Sequence, residues 1–205
     1  MGLKPRGNLF IVSAPSGAGK TSLCQRLTSD MPNIRHSVSF TTRKPRRGEV
    51  NDRDYTFVDE DEFLRMVDSG ELAEWAKVHG NLYGTSKKRL EALRNEGIHV
   101  ILDIDTQGAE EMRNSYDDGI YIFILPPSLD ALKERLEKRM SNSAEEIALR
   151  LKRATEEIKN YTWYDYVIIN EDFDEALAQL KAIVIAEGHR ISTIDPQWVE
   201  ENFRT

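Results

Sequence analysis

Apolar positions along the chain fall into two alternating kinds of segment. Short runs rich in branched residues predict strands buried on both faces: Asn8 to Ser13 (NLFIVS), Ile98 to Ile104 (IHVILDI), Ile120 to Leu125 (IYIFIL) and Tyr166 to Ile169 (YVII). Between them apolar residues recur at helical spacing. Leu23 and Leu27 mark a helix over Lys20 to Ser29, and another is expected over Thr106 to Asn114. Leu129, Leu132 and Leu136 form a further stripe, as do Ile147, Leu151, Ala154 and Ile158, and then Ala176, Leu177, Leu180, Ile183 and Val184. Strands and helices alternating in this way predict an α/β fold in three layers, with a central parallel sheet covered by helices.

From about residue 34 to 96 the rhythm breaks into shorter apolar runs, more charge and the aromatic residues Tyr55, Phe57, Trp75 and Tyr83. That stretch reads as an inserted mixed α+β subdomain standing off the main sheet. The expected organisation is a core over 1–33, 97–125 and 160–205, the insertion over 34–96, and a small helical lid over 126–159. The polar stretch 138–146 reads as a mobile cap, and the tail after Gly188 as surface-bound or frayed.

A chain of 205 residues buries roughly 70% of its unfolded surface, enough for a core without covalent staples. Cys24 is the single cysteine, so no intrachain disulfide forms and a reducing compartment is expected. No apolar run is long enough for a signal peptide or a membrane span, which makes a cytoplasmic protein the expectation. The net charge of -7 argues against a nucleic-acid partner, because a polyanion needs a broad positive surface. The basic residues cluster instead, at Arg43 to Arg47 and again over Arg135 to Arg153, a distribution suited to compact anionic ligands.

Ala14-Pro15-Ser16-Gly17-Ala18-Gly19-Lys20-Thr21 fits the phosphate-loop pattern G-x-x-x-x-G-K-[ST], with Ala14 in place of the first glycine. Its place between an expected strand and an expected helix is the context the chemistry requires. Backbone N–H groups wrap a phosphate at a helix N-terminus, Lys20 reaches the β and γ phosphates, and the Thr21 hydroxyl holds Mg²⁺. Ala14 is tolerated if its φ stays negative. The loop by itself does not separate a kinase from another nucleotide hydrolase.

The insertion discriminates. Ser37 to Tyr55 (SVSFTTRKPRRGEVNDRDY), Glu74-Trp75-Ala76, Gly80 to Thr85 (GNLYGT) and Asp103 to Gly108 (DIDTQG) together resemble the motifs of the guanylate kinase family of P-loop nucleoside monophosphate kinases. The resemblance runs from Leu9 to about Glu187, with the motifs in family order. It implies ATP as phosphoryl donor, GMP as acceptor and Mg²⁺ as cofactor, with no nucleic acid or membrane as partner.

The resemblance also implies roles. Ala14 to Thr21 and Ser22 would hold ATP. Arg43 and Arg46 would clamp the GMP phosphate, with phenolic hydrogen bonds from Tyr55 and Tyr83. Glu74 would accept the guanine ring N–H and exocyclic amine, Ser39 and Thr85 would donate to the guanine carbonyl, and Asp105 would take the remaining amine hydrogen. Adenine carries an acceptor where guanine has that ring N–H, so the site would select GMP over AMP. With no ribose reader evident, dGMP is also expected as acceptor. Asn170 is a candidate for lining the adenine pocket.

Lys20 and Arg43 would act at the transferred phosphoryl group, and Asp103 would hold Mg²⁺ through water. Leu132 to Arg139 (LKERLEKR) and Ile147 to Leu151 (IALRL) resemble the family's lid segments, which implies that Arg135, Arg139 and Arg150 close over ATP. Arg135 and Arg139, four residues apart, are expected on one helix face. Met140, Phe40 and Asp52 depart from the family pattern, where glycine, histidine or serine, and glycine are usual. The alternative is a catalytically inactive guanylate-kinase-like module that binds peptides. Against it stand Lys20, Thr21, Asp103 and the lid arginines, all present. An adenylate kinase would lack Glu74 and Ser39 as guanine readers.

Overall fold

The computed structural model describes residues 6–78, 80–138 and 144–204. In chain order the elements are β1 (Leu9–Ser13), α1 (Lys20–Asp30), β2 (Ile34–His36), β3 (Phe40–Thr41), β4 (Thr56–Phe57), α2 (Glu60–Asp68), β5 (Leu72–Val78), β6 (Asn81–Ser86) and α3 (Lys87–Asn95). There follow β7 (His99–Asp103), α4 (Thr106–Ser115), β8 (Gly119–Leu125), α5 (Leu129–Glu137), α6 (Ala144–Ile158), β9 (Tyr166–Ile169), α7 (Phe173–Glu187) and α8 (Pro196–Phe203).

The described residues form two sheets. The first has strand order β2-β7-β1-β8-β9, and every pairing in it is parallel. Its central strand β1 is buried along its whole length, which is why its sequence is apolar without alternation. Phe10 and Val12 pack with Leu23, Leu27, Leu180 and Val184 on the side of α1 and α7. Leu9 and Ile11 face the other way, onto Leu90, Ala109, Met112 and Tyr164. These are the three layers expected from the sequence.

The second sheet, ordered β4-β3-β6-β5, pairs β3 with β4 in parallel and β6 with β3 and β5 antiparallel. Its back is closed by Phe63 and Met66 of α2 against Leu72 and Leu82. It also leans on the core: Ala73 joins the cluster around Leu9, and Trp75 N donates to Glu111 Oε2 on α4 at 2.9 Å. β2 lies inside the 34–96 stretch yet pairs with β7. At three residues it is too short to show a period. The tail after Gly188 is more regular than a frayed end, because Asp195 caps α8 and Pro196 opens it.

Arg94 is 2% exposed and donates to the Gly7 carbonyl at 2.9 Å while pairing with Asp118. It ties α3 to the entry of β1. Arg94→Met is expected to lower stability by about 2–4 kcal/mol, read as a reduced denaturant midpoint at unchanged slope.

Candidate active site

The phosphate loop follows β1 and opens α1. Gly17 and Gly19 have φ of 101° and 93°, conformations that a side chain would strain. Among the described residues the only non-glycine with positive φ is Asp52, so Ala14 sits in the ordinary region, as the substitution requires. The loop is braced from beneath. Asn170 Nδ2 donates to the Ala18 carbonyl at 2.7 Å, and Arg135 Nη2 donates to the Asn170 carbonyl at 2.7 Å. Asn170 is 5% exposed and braces the loop.

Lys20 Nζ lies 2.5 Å from Asp103 Oδ1 and donates to the Ile104 carbonyl at 2.6 Å. The Thr21 hydroxyl also helps to stabilise the Asp103 carboxylate. Burial pushes the Asp103 carboxyl up, but Lys20 and Thr21 outweigh it and hold the group below its usual range. A hydroxyl and an ionised carboxylate therefore meet at the head of α1.

The second sheet meets this loop through Lys77, Val78 and Gly80, which line one cleft with it, and the predicted acceptor residues lie elsewhere on the sheet. Tyr83 and Thr85 are two apart on β6 and share one face, with Glu74 opposite Thr85 and Thr41 opposite Tyr83. By the same alternation Ser39 and Arg43 flank Thr41 on the same side. The Arg43 guanidinium stacks 5.3 Å from the Tyr55 ring centre and lies in a bidentate pair with Glu49 at 2.8 and 3.0 Å. Glu49 Oε2 also accepts the Arg46 backbone N–H at 2.6 Å. The Arg46 side chain is exposed, and Ser39 is half-buried with its carbonyl accepting Thr56 N at 2.9 Å.

Glu74 is 5% exposed and accepts the Thr85 hydroxyl at 2.6 Å. Here the Thr85 hydroxyl gives its proton to Glu74. Burial pushes the Glu74 carboxyl up from 4.5 to about 7, Thr85 pulls it back, and the Asp105 and Glu111 carboxylates add to the rise. Asp105 Oδ1 caps α4 by accepting Gly108 N at 2.9 Å. Gly108 is needed there, since a Cβ would come within 2.8 Å of Glu74 Oε2.

Between loop and sheet lies a cleft of about 950 Å³, lined by residues 14–22, Lys77, Asp105, Gln107, Arg150, Arg153 and Glu157 among others. The family model described as guanylate kinase matches residues 6–187. The chain belongs to the guanylate kinase family. It is 54% identical to a guanylate kinase from Geobacter metallireducens over 92% of this chain and 93% of that one. A guanylate kinase from Geobacter sulfurreducens is 51% identical over 94% and 95%. The crystal structure of guanylate kinase from Anaplasma phagocytophilum superposes with a TM-score of 0.81 at 36% identity, over 100% of this chain and 99% of that one.

Within this guanylate kinase family fold, the predicted lid residues separate. Arg150 lines the cleft from α6. Arg135 is instead turned to the Asn170 carbonyl. α5 spans Leu129–Glu137 and carries Arg135 in its last turn. Arg139 and Met140 lie outside the described residues, as does the middle of the expected cap. The other two departures from the family pattern meet through one side chain. Arg89 stacks 4.6 Å from the Phe40 ring, lies 3.4 Å from Asp52 Oδ1 and donates to Thr56 Oγ1 at 2.6 Å.

Sequence reasoning passed over Glu49, Lys77, Arg153 and Glu157. Glu49 stood inside the quoted acceptor motif, and Arg150, Arg153 and Glu157 repeat at three and four residues, a common helix face. Glu49 closes the 43–49 turn by holding Arg43 and the Arg46 backbone together. Glu49→Ala is expected to raise KM for GMP about tenfold with a smaller change in kcat, measured by steady-state kinetics at saturating ATP.

Proposed function

We propose that the protein transfers the γ-phosphoryl group of ATP to GMP, giving ADP and GDP. The observation that carries this reading is Glu74, a buried carboxylate fixed by Thr85 on the second sheet and set against Gly108 at the head of α4, in a chain that also holds a phosphate loop. An acceptor carboxylate matches the paired ring N–H and amine of guanine and repels the ring acceptor of adenine. dGMP is accepted as well, because the recognition proposed here rests on the base and the phosphate.

ATP lies along residues 14–22 with its phosphates on the loop N–H groups. GMP lies on the second sheet with its base at Glu74, Ser39 and Asp105 and its phosphate at Arg43, Arg46, Tyr55 and Tyr83. Thr85 acts through Glu74. A GMP phosphate oxygen attacks the γ phosphorus in line as the bond to the bridging oxygen breaks. That oxygen takes up the developing charge, which Lys20 and the loop N–H groups stabilise. Arg43 faces the loop from the acceptor side and offsets repulsion between the two anions.

Thr21 and Asp103 suit Mg²⁺, which prefers hard oxygen donors and binds through few protein groups plus phosphates and water. Bound there, Mg²⁺ would supply charge neutralisation to the ATP phosphates. Closure of the second sheet and of α6 over the loop excludes water and limits hydrolysis. Among the described residues no helix is long and apolar enough to cross a membrane.

The test is ADP release with ATP and Mg²⁺ in the presence of GMP, AMP, CMP or UMP. Turnover with GMP alone among the four is the expected result. A folded protein with no GMP-dependent release would sink the reading and favour the peptide-binding module.

A further inference from the structure

One guanidinium on the acceptor side has no part in the phosphoryl transfer just described. Arg89 stands in the first turn of α3, which follows β6 without a break, and its backbone N–H is held by the Ser86 hydroxyl at 3.3 Å. From there its side chain reaches the far end of the 43–55 loop. Nη1 donates to Thr56 Oγ1 at 2.6 Å, Nη2 donates to Asp52 Oδ1 at 3.4 Å, and Cζ stands 4.6 Å from the Phe40 ring centre. Thr56 gives its own proton to Asp52 Oδ1 at 2.7 Å, so the three side chains close a triangle. Between Asp52 and Thr56 in the chain lies Tyr55, whose carbonyl accepts the Asp52 backbone N–H at 2.8 Å.

The arms of the triangle differ in weight. Asp52 is exposed and its contact with Arg89 is long, so that pair contributes little. Thr56 is 8% exposed, and its short, charge-assisted bond to Arg89 carries most of the hold. The turn needs such a hold, because Asp52 has a φ of 61°, a left-handed conformation that a side chain resists. Tyr55 itself packs edge-on to Tyr83 at 6.0 Å, with Arg43 over its ring. We infer that Arg89 is a positioning residue for acceptor binding, which fixes Tyr55 at the GMP phosphate by clamping Thr56 and Asp52 on either side of it. The inference rests on the reading that Tyr55 binds that phosphate.

The experiment is steady-state kinetics of the full chain with GMP and ATP varied in turn. Arg89→Met is expected to raise KM for GMP about tenfold and to leave kcat and KM for ATP within about twofold. Arg89→Lys keeps the charge over Phe40 but cannot bond both oxygens, and a rise of about threefold is expected. Lys88→Met removes the same charge from an exposed neighbour and should leave all three parameters unchanged. In a Tyr55→Phe background, itself raised in KM for GMP, Arg89→Met should change that constant by less than about twofold. If Arg89→Met does not fold, Arg89→Lys carries the same cycle. Wild-type KM for GMP in the Arg89 variants, or in Tyr55→Phe, overturns the inference and leaves the kinase reading intact. So does an equal rise in KM for both nucleotides, an equal effect of Lys88→Met, or a full effect of the Arg89 change in the Tyr55→Phe background. A folded wild type without GMP-dependent ADP release overturns the inference and the kinase reading together.

Discussion

Glu74→Gln is expected to lower kcat/KM for GMP about 10³-fold while making the folded protein more stable at pH 8. The two effects share one cause. Glu74 is buried, and it faces the carboxylates of Asp105 and Glu111. Folding therefore favours its protonated form, with its value raised from 4.5 to about 7. Between those values the folded chain binds more protons at this site than the unfolded chain, so stability falls as pH rises through the window and the cost is complete above it. The shift corresponds to about 3 kcal/mol, of which the neutral amide should recover about 2 at pH 8 and almost none at pH 4. Thr85 can still donate to the amide oxygen, so the local geometry survives.

Recognition moves the other way. Guanine presents two donors, and the amide meets them with one acceptor and one donor of its own. In the wild type the same logic gives a pH dependence. Protonation of Glu74 removes the acceptor pair, so KM for GMP should rise about tenfold per pH unit below about 7. Urea melts at pH 4 and pH 8, beside GMP kinetics from pH 5.5 to 8.5, read both effects. A variant that is less stable at pH 8, or one that keeps GMP turnover, would remove Glu74 as the guanine reader.

Lys20→Met is expected to lower kcat about 10³-fold with little change in KM for GMP. Lys20 supplies the one positive charge that the phosphate loop itself carries, held between Asp103 Oδ1 and the Ile104 carbonyl. Met matches its length without a donor, so charge developing on the bridging oxygen goes unmet. The acceptor groups on β5 and β6 are untouched, which is why KM for GMP should hold. Initial-rate kinetics with each nucleotide varied in turn separates the two parameters. Loss of GMP affinity equal to the loss of kcat would mean that Lys20 organises the whole cleft rather than the transferred phosphoryl group. Lys20→Arg is the companion variant: it keeps the charge and Asp103, but its planar fork is a poorer fit to the loop.

Much of this was legible before any coordinates. The runs NLFIVS and IYIFIL are apolar without alternation because both faces of β1 and β8 are covered, and such covering leaves a mark on every residue of the strand. The phosphate loop was equally plain, since Gly17, Gly19, Lys20 and Thr21 are contiguous and their backbone demands are local. The acceptor residues announced themselves through spacing within one stretch of chain. β2 did not, being too short for a pattern.

What tertiary structure alone decided is which partner each polar group takes. Thr85 gives its proton to Glu74, Arg43 lies in the grip of Glu49, and Arg135 turns to Asn170 across 35 residues of chain. A sequence records that a side chain can donate or accept, and its period records which face is buried. It does not record which of several chemically equivalent acceptors the fold brings within 3 Å, nor how many like charges share a buried site. The raised carboxyl of Glu74 arises from such long-range placement, where desolvation and neighbouring charge act through space and not along the chain.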